Sequence, residues 1–294
     1  MKVRELTDWL EGEYPGNMAE DWDNVGLLVG DDGQEVHHVF LALDLTEAVL
    51  EEAVKAQADM IITHHPMIFR GMKKINNHDF TGRKVLSLIR HNISYFAMHT
   101  NYDVMGMAEL SADYLKLKER QVLSVTAETE QGPQGFGRVG KLPEPMSLKE
   151  CALYVKEALS LNDVRLYGEP EQMVETAAVC TGSGKSMIPD ALKKGAQVYI
   201  TGDIDHHTGI DATAQGLAVI DAGHYGTEYI FMEAVSRKLS AEFPELKVSC
   251  ARIVSPYTLL YLKFTEPERL QRAKDRRREV LWNRICERSK SAGQ

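Results

Sequence analysis

Seven of the ten histidines stand at or just past the ends of strand-like segments, or in the loops that follow: His64, His65, His78, His99, His206, His207 and His224. In open α/β sheets ligands bind outside the carboxyl ends of strands, so histidine concentrated there points to a site. Carboxylates accompany it. "HTNYD" sets Asp103 four residues after His99, "GDIDHH" holds Asp203 and Asp205 beside His206 and His207, and "DAGHYGTE" sets Glu228 four residues after His224. If the chain from Tyr225 onward is helical, His224 and Glu228 lie one turn apart and reach one ion together. Imidazole nitrogen with carboxylate oxygen suits a borderline divalent ion such as Zn, Fe, Mn, Co or Ni. The four cysteines, Cys151, Cys180, Cys250 and Cys286, are scattered without a CxxC pair and read as reduced residues outside the donor set. His37, His38 and His91 lack an accompanying carboxylate geometry and read as surface residues.

The segments that must position these groups alternate between periods of two and of about 3.6, the pattern of α/β layers. "VRELTDWLEGEY" reads as a helix, "HHVFLALDL" as a strand, "TEAVLEEAVKAQ" as a helix capped by Thr46, "DMIITHH" as a strand, "GRKVLSLIRHN" as a helix and "ISYFAMHTNYD" as a strand entering a polar loop. Val122 to Pro145, rich in glycine and proline, predicts a hairpin and a lobe boundary. Beyond it "SLKECALYVKEALS", "SMIPDALKKG" and "GTEYIFMEAVSRKLSAEF" read as helices, and "ETAAVCTG", "AQVYITGD" and "LAVIDAGHY" as strands. Laying Ala58 on Ala196 matches "ADMIITHH" to "AQVYITGD" with similar neighbours, a weak internal duplication. The expected architecture is a two-lobed α/β protein, each lobe a mixed sheet flanked by helices. The first lobe is 1–125, joined by part of 225–262; the second is 126–224; a basic helical extension is 263–294.

At 44% hydrophobic and 26% charged, 294 residues form a globular protein with a sizeable core. No apolar run is long enough to span a bilayer and the N-terminal stretch lacks the apolar region of a secretory signal, so a cytoplasmic protein is expected. A formal charge of −9 argues against nucleic-acid binding by the body of the protein. The exception is the tail, where Leu262 to Gln294 carries ten Lys or Arg against five Asp or Glu. "TGSGKS", Thr181 to Ser186, resembles the end of a phosphate-binding loop, but Val179 stands where that motif requires glycine.

"WDNVGLLVGD", "ITHHP", "HTNYD", "GFGRVGKLPEP", "VCTGSGKS", "TGDIDHH" and "DAGHYGTE" occur together and in this order. Over about Trp22 to Pro256 the chain thereby resembles the NGG-one-interacting factor three-like proteins, dinuclear-metal-centre hexamers labelled GTP cyclohydrolase I type 2 homologues. The resemblance implies a homohexamer with a pair of divalent metals between the lobes. It implies His64, His65, Asp103, His224 and Glu228 as ligands, with Asp103 or Glu228 suited to bridge. His99 beside them completes a shell or holds a water, and His207 is a candidate acid or base. Many relatives read "TGDIKYHDALDA" where this chain has "TGDIDHHTGIDA", so Asp205 and His206 replace Lys and Tyr. The expected activity is metal-dependent hydrolysis, ring opening of a nucleotide by the label and phosphoester cleavage as an alternative. A non-catalytic metal-holding or regulatory hexamer is the alternative from another class.

Overall fold

The apolar runs at the centre of each half are buried on both faces, as strands of a helix-covered parallel sheet must be. In the computed structural model, residues 1–130 and 132–260 are described. The chain divides into two units, Met1–Val254 and Ser255–Gln294. The expected basic extension, 263–294, lies outside the described residues.

The first unit begins with α1 (Val3–Glu13), β1 (Gly26–Val29), β2 (His38–Ala42), α2 (Glu47–Lys55), β3 (Met60–Thr63), α3 (Phe80–Arg90) and β4 (Ser94–Ala97). A short α4 (Thr100–Tyr102) passes through a π-helical stretch, Asp103–Met107, into α5 (Ala108–Tyr114). There follow β5 (Lys118–Thr129), β6 (Gly132–Ser147), α6 (Leu148–Ala158), β7 (Arg165–Tyr167), β8 (Met173–Ser183) and α7 (Ile188–Lys193). The unit continues with β9 (Val198–Gly202), α8 (His206–Ala214), β10 (Ala218–Asp221), α9 (His224–Glu228), α10 (Ile230–Glu242) and β11 (Lys247–Cys250).

Two mixed sheets result. One has the order β1-β4-β3-β2-β11, with β1 antiparallel at its edge and the other four strands parallel. The other has the order β5-β6-β8-β9-β10-β7, with β8, β9 and β10 parallel. Both halves therefore contain the same arrangement, three adjacent parallel strands joined by helices, in β2-β3-β4 and in β8-β9-β10. That is the structural form of the duplication seen between Ala58 and Ala196. β11 returns the chain after α10 to the first sheet, pairing Lys247 with His38. β5 begins at Lys118 and pairs with β6 from Lys118↔Lys141 to Thr129↔Gly132, so the hairpin straddles the expected lobe boundary.

Strand alternation divides the core. On β8 and β9, Ala177, Val179, Val198 and Ile200 face the large core shared with the first sheet, while Ala178, Cys180 and Tyr199 face a smaller one beneath α7 and α8. A one-residue slip would exchange these sets, which fixes the register. Thr46 caps α2 by accepting from the Val49 N–H at 3.1 Å, as its sequence position requires. His38 corrects the surface reading: it is 5% exposed, with Nδ1 3.0 Å from the Ala56 carbonyl and Nε2 2.6 Å from the Ser249 hydroxyl. Ala56 ends α2 and Ser249 lies across the β2–β11 pairing, contacts that nothing local to His38 announces. Among the described residues no helix is long and apolar enough to cross a membrane.

Candidate metal centre

The six strands of the two repeated three-strand units deliver something to one place. Asp44 follows β2, His64 and His65 follow β3, His99 and Asp103 follow β4, Gly182 closes β8, Asp203 follows β9, and His224 and Glu228 follow β10. The His64–His65 corner is fixed from beneath by Tyr95. Its hydroxyl accepts from the Met67 N–H at 2.8 Å and sits 2.7 Å from the Thr63 hydroxyl, which donates to the His65 carbonyl at 2.8 Å. Asp103 opens the π-helical stretch, a local widening of the helix that recurs at functional positions.

Four imidazoles are oriented in the same way. Nδ1 of His64 lies 2.8 Å from the Met98 carbonyl, that of His65 2.8 Å from Asp44 Oδ1, that of His224 2.7 Å from Asp203 Oδ2, and that of His99 2.9 Å from Asp23 Oδ1. Carbonyl and carboxylate oxygens only accept, so each Nδ1 carries the proton and donates it. In the neutral ring Nε2 is then left with a lone pair, the arrangement in which outer carboxylates and carbonyls prepare histidine for a metal.

The Nε2 atoms of three of these rings converge on two carboxylates. His64 Nε2 stands 3.3 Å from Asp103 Oδ1 and 3.7 Å from Glu228 Oε1, whereas His65 and His224 Nε2 each stand 3.0 Å from Glu228 Oε2. His65 and His224 face each other at 3.2 Å between their Nε2 atoms. Around that contact His64 Nε2, Asp103 Oδ1 and Glu228 Oε2 are buried without a hydrogen-bond partner. Three orphaned donor atoms in one buried cluster would be costly unless something else satisfied them. The donor atoms of His64, His65 and Glu228 lie within 4.8 Å of one another, a triad able to hold a metal ion. The residues present fit a divalent cation in donor type, tautomer and burial.

Electrostatics gives the same answer. Burial pushes the Glu228 carboxyl up, but the facing imidazoles of His224, His64 and His65 outweigh it and hold it well below its usual range. Burial likewise lowers His64 and His65, yet Asp103 and Glu228 raise the first well above the ordinary value, and Asp44 and Glu228 raise the second. His224, opposed by burial and favoured by Glu228 and Asp203, rises to about 9. The cluster attracts positive charge; without an ion it takes protons.

Two backbone positions give way to the cluster. Gly182 has φ +65°, and a Cβ there would fall 2.1 Å from Glu228 Oε1. Asp203 adopts φ +57°, a left-handed conformation unusual for a residue with a Cβ, while its carboxylate holds His224. Beside the donors opens a cavity of about 310 Å³, walled in part by Trp22, His99, Phe136, Cys180 and Met187.

The five expected ligands thus lie together, with His99 on the cavity wall. His207 does not: it is exposed on α8 beside His206, outside the lining of that cavity. "GDIDHH" divides, because α8 starts at His206 and turns both rings outward, Asp205 caps that helix by accepting from the Thr208 N–H at 3.0 Å, and Asp203 serves His224. Sequence reasoning gave no role to Asp23 or Asp44. The signal was present in each case, a carboxylate just before the glycine-flanked β1 in "WDN" and one just beyond β2 in "LALDLT".

Histidine and carboxylate side chains gathered where two halves of a duplicated α/β fold present their strand ends define an α/β protein with a side-chain cluster able to hold a metal ion. The chain belongs to the Duf34/NIF3 (NGG1p interacting factor 3) family, whose model matches residues 1–258. It is 34% identical over 266 residues to a Clostridium acetobutylicum protein named GTP cyclohydrolase 1 type 2 homolog, covering 90% of this chain and 99% of that one. Among solved structures it resembles the Staphylococcus aureus hypothetical protein SA1388 with a TM-score of 0.81 and 30% identity, over 88% of this chain and 99% of that chain. Reduced HcgD from Methanocaldococcus jannaschii matches with a TM-score of 0.72 and 28% identity, over 85% and 97% of the two chains.

Proposed function

We propose that the chain is a dinuclear metal-dependent hydrolase that opens a ring of a nucleotide. The observation that carries the reading is the division of Glu228: Oε1 faces His64, whose Nε2 also faces Asp103, and Oε2 faces His65 and His224. His64, Asp103 and Glu228 would hold one ion, and His65, His224 and Glu228 the other. Divalent ions held in this way supply Lewis acidity toward a substrate oxygen and make water a nucleophile near neutral pH.

The protein's own residues supply the rest. Asp23 holds Nδ1–H of His99, so Nε2 is the atom on that ring free to accept and return a proton at the cavity wall. The Thr100 N–H and hydroxyl bind the other Asp23 oxygen at 3.0 and 2.5 Å, which keeps the carboxylate in place as His99 changes charge. His99, rather than the exposed His207, takes the acid–base role in this reading. Phe136 and Met187 give the cavity an apolar stretch of wall. The relatives' shared name, GTP cyclohydrolase 1 type 2 homolog, favours ring hydrolysis over phosphoester cleavage. Homohexameric assembly belongs to the same reading, and the half-exposed Phe80 and Ile89 on α3 are apolar surface available for it.

The test is metal analysis of protein purified without chelator, with a turnover screen of GTP and simple phosphoesters on wild type, His64→Ala and Glu228→Ala. Two ions per chain and turnover abolished in both variants are expected. Fewer than one ion per chain, or equal turnover in all three proteins, would sink the reading.

A further inference from the structure

Trp22 is 55% exposed and Phe69 46% exposed, unusual for large aromatics on a folded surface, and their rings touch at 5.6 Å between centroids. Trp22 also meets His99 edge-on at 6.0 Å and lines the cavity beside the metal donors. Phe69 lines a second cavity, of about 520 Å³, whose wall carries Arg70, Lys73 and Lys74. The aromatic pair is therefore the partition between the two cavities.

We propose that Trp22 with Phe69 is a stacking platform for a planar ring, and that Arg70, Lys73 and Lys74 bind an anionic group on the same ligand, whose chemical class is that of a nucleotide. This deepens the hydrolase reading and rests on it only for where the reacting bond lies. The platform is held rather than loose. Asp23, next to Trp22, is clamped on His99 and Thr100, while Asn24 Nδ2 donates to the Ile68 carbonyl at 2.6 Å, tying the Trp22 loop to the Phe69 loop.

Charge selects an anion. In a protein of formal charge −9, three cations fall within five residues, all exposed, and none of their side chains makes a hydrogen bond or ion pair among the described residues. The acid on that cavity wall, Asp79, is engaged in capping α3 through the Gly82 N–H at 2.8 Å. Free cations without internal partners contribute through a ligand's charge, and an exposed indole beside them contributes through a ring's face. An uncharged ring or a bare sugar phosphate would use only half of this surface.

The experiment is calorimetric titration of the full chain, zinc-loaded and chelator-treated, with guanosine 5′-monophosphate, guanosine and ribose 5-phosphate at low and high salt. Tighter binding of the nucleotide than of either fragment is expected, weakening as salt rises. Trp22→Ala should weaken nucleotide and guanosine binding roughly fivefold to a hundredfold. Nucleotide stacking should quench tryptophan fluorescence in the wild type, and Trp22→Phe should keep the binding while losing that quenching. Replacing Arg70, Lys73 and Lys74 together by alanine should flatten the salt dependence for the nucleotide and leave guanosine unchanged. The proposal is overturned if the nucleotide binds no tighter than its fragments. It is equally overturned if Trp22→Ala leaves affinity intact and instead changes the oligomeric mass, which would make the pair a protein contact. Intact nucleotide binding without turnover of any screened substrate supports the platform and counts against the hydrolase reading alone.

Discussion

Gly182→Ala separates the cost of a backbone conformation from the cost of disturbing the donor cluster. At φ +65° an alanine pays about 1–2 kcal/mol for the left-handed conformation. The same backbone penalty applies at Gly195, φ +73°, where an added Cβ meets nothing within 4 Å. Gly195→Ala is thus the internal control. At about 2–4 °C per kcal/mol for a unit of this size, it should lower Tm by roughly 2–8 °C and leave metal content unchanged. Gly182→Ala adds a Cβ 2.1 Å from Glu228 Oε1 and 3.4 Å from His224 Nε2. No rotation of the alanine relieves that contact, so Glu228 must move, and with it the carboxylate facing His64, His65 and His224. The assay is metal content by mass spectrometry alongside calorimetric unfolding of loaded and chelated protein. The expected outcome is the control's Tm loss in the chelated state, enlarged by the clash, together with at least half of the metal gone. If Gly182→Ala binds metal as fully as wild type and melts like Gly195→Ala, Glu228 is not a ligand that the chain positions through Gly182.

Asp44→Asn and Asp203→Asn should each weaken metal binding about 10- to 100-fold by competition titration, because an amide can present a hydrogen to Nδ1 where the ring needs an acceptor. In the metal-free protein His224 has a pKa of about 9 against an ordinary 6.5, a folded value above the unfolded one, so its stabilising contribution is complete below pH 6.5 and lost as pH rises through 9. Chelated protein should accordingly lose Tm across that window, while metal affinity rises over it because binding must expel the proton, and pH-independent affinity would refute the assignment. Cys151 and Cys180, both buried with thiols pushed up to about 12 by desolvation, should resist iodoacetamide at pH 8 in peptide mapping, and the exposed Cys250 should be alkylated before either of them.

The strands and helices that carry the site were legible because their periodicity and caps are local: Thr46 before α2, the apolar runs of β3 and β9, and the one-turn spacing of His224 and Glu228. Elements were missed where the signal is weak or tertiary. β1 is four residues long and half-buried throughout, β7 is three residues long, and β11 is a strand because β2 offers it an edge. α8 was hidden within "DIDHHTGIDATAQ", whose polar start disguised an Asp-capped helix, and His207, made a candidate by resemblance, stands exposed on it. The five side chains that converge were singled out through clustering and resemblance, but their orienting partners were not. Asp23 is 76 residues from His99 in sequence and Asp44 is 21 from His65, distances over which residue type alone carries no pairing information.

His65 and His224 approach to 3.2 Å across 159 positions of sequence, one rooted in each sheet. An ion shared by such residues is a reversible cross-link as well as a chemical centre. By the chain-entropy argument for disulfides, closing a loop of that length removes about 5 kcal/mol of freedom from the unfolded chain. His64, His65 and Asp103 come from the first half and His224 and Glu228 from the second, so an ion held by His65, His224 and Glu228 would form that cross-link only after both halves had folded and met. Such an ion would report the completion of folding, and a chain lacking the Glu228 segment would lose the carboxylate on which His64, His65 and His224 converge.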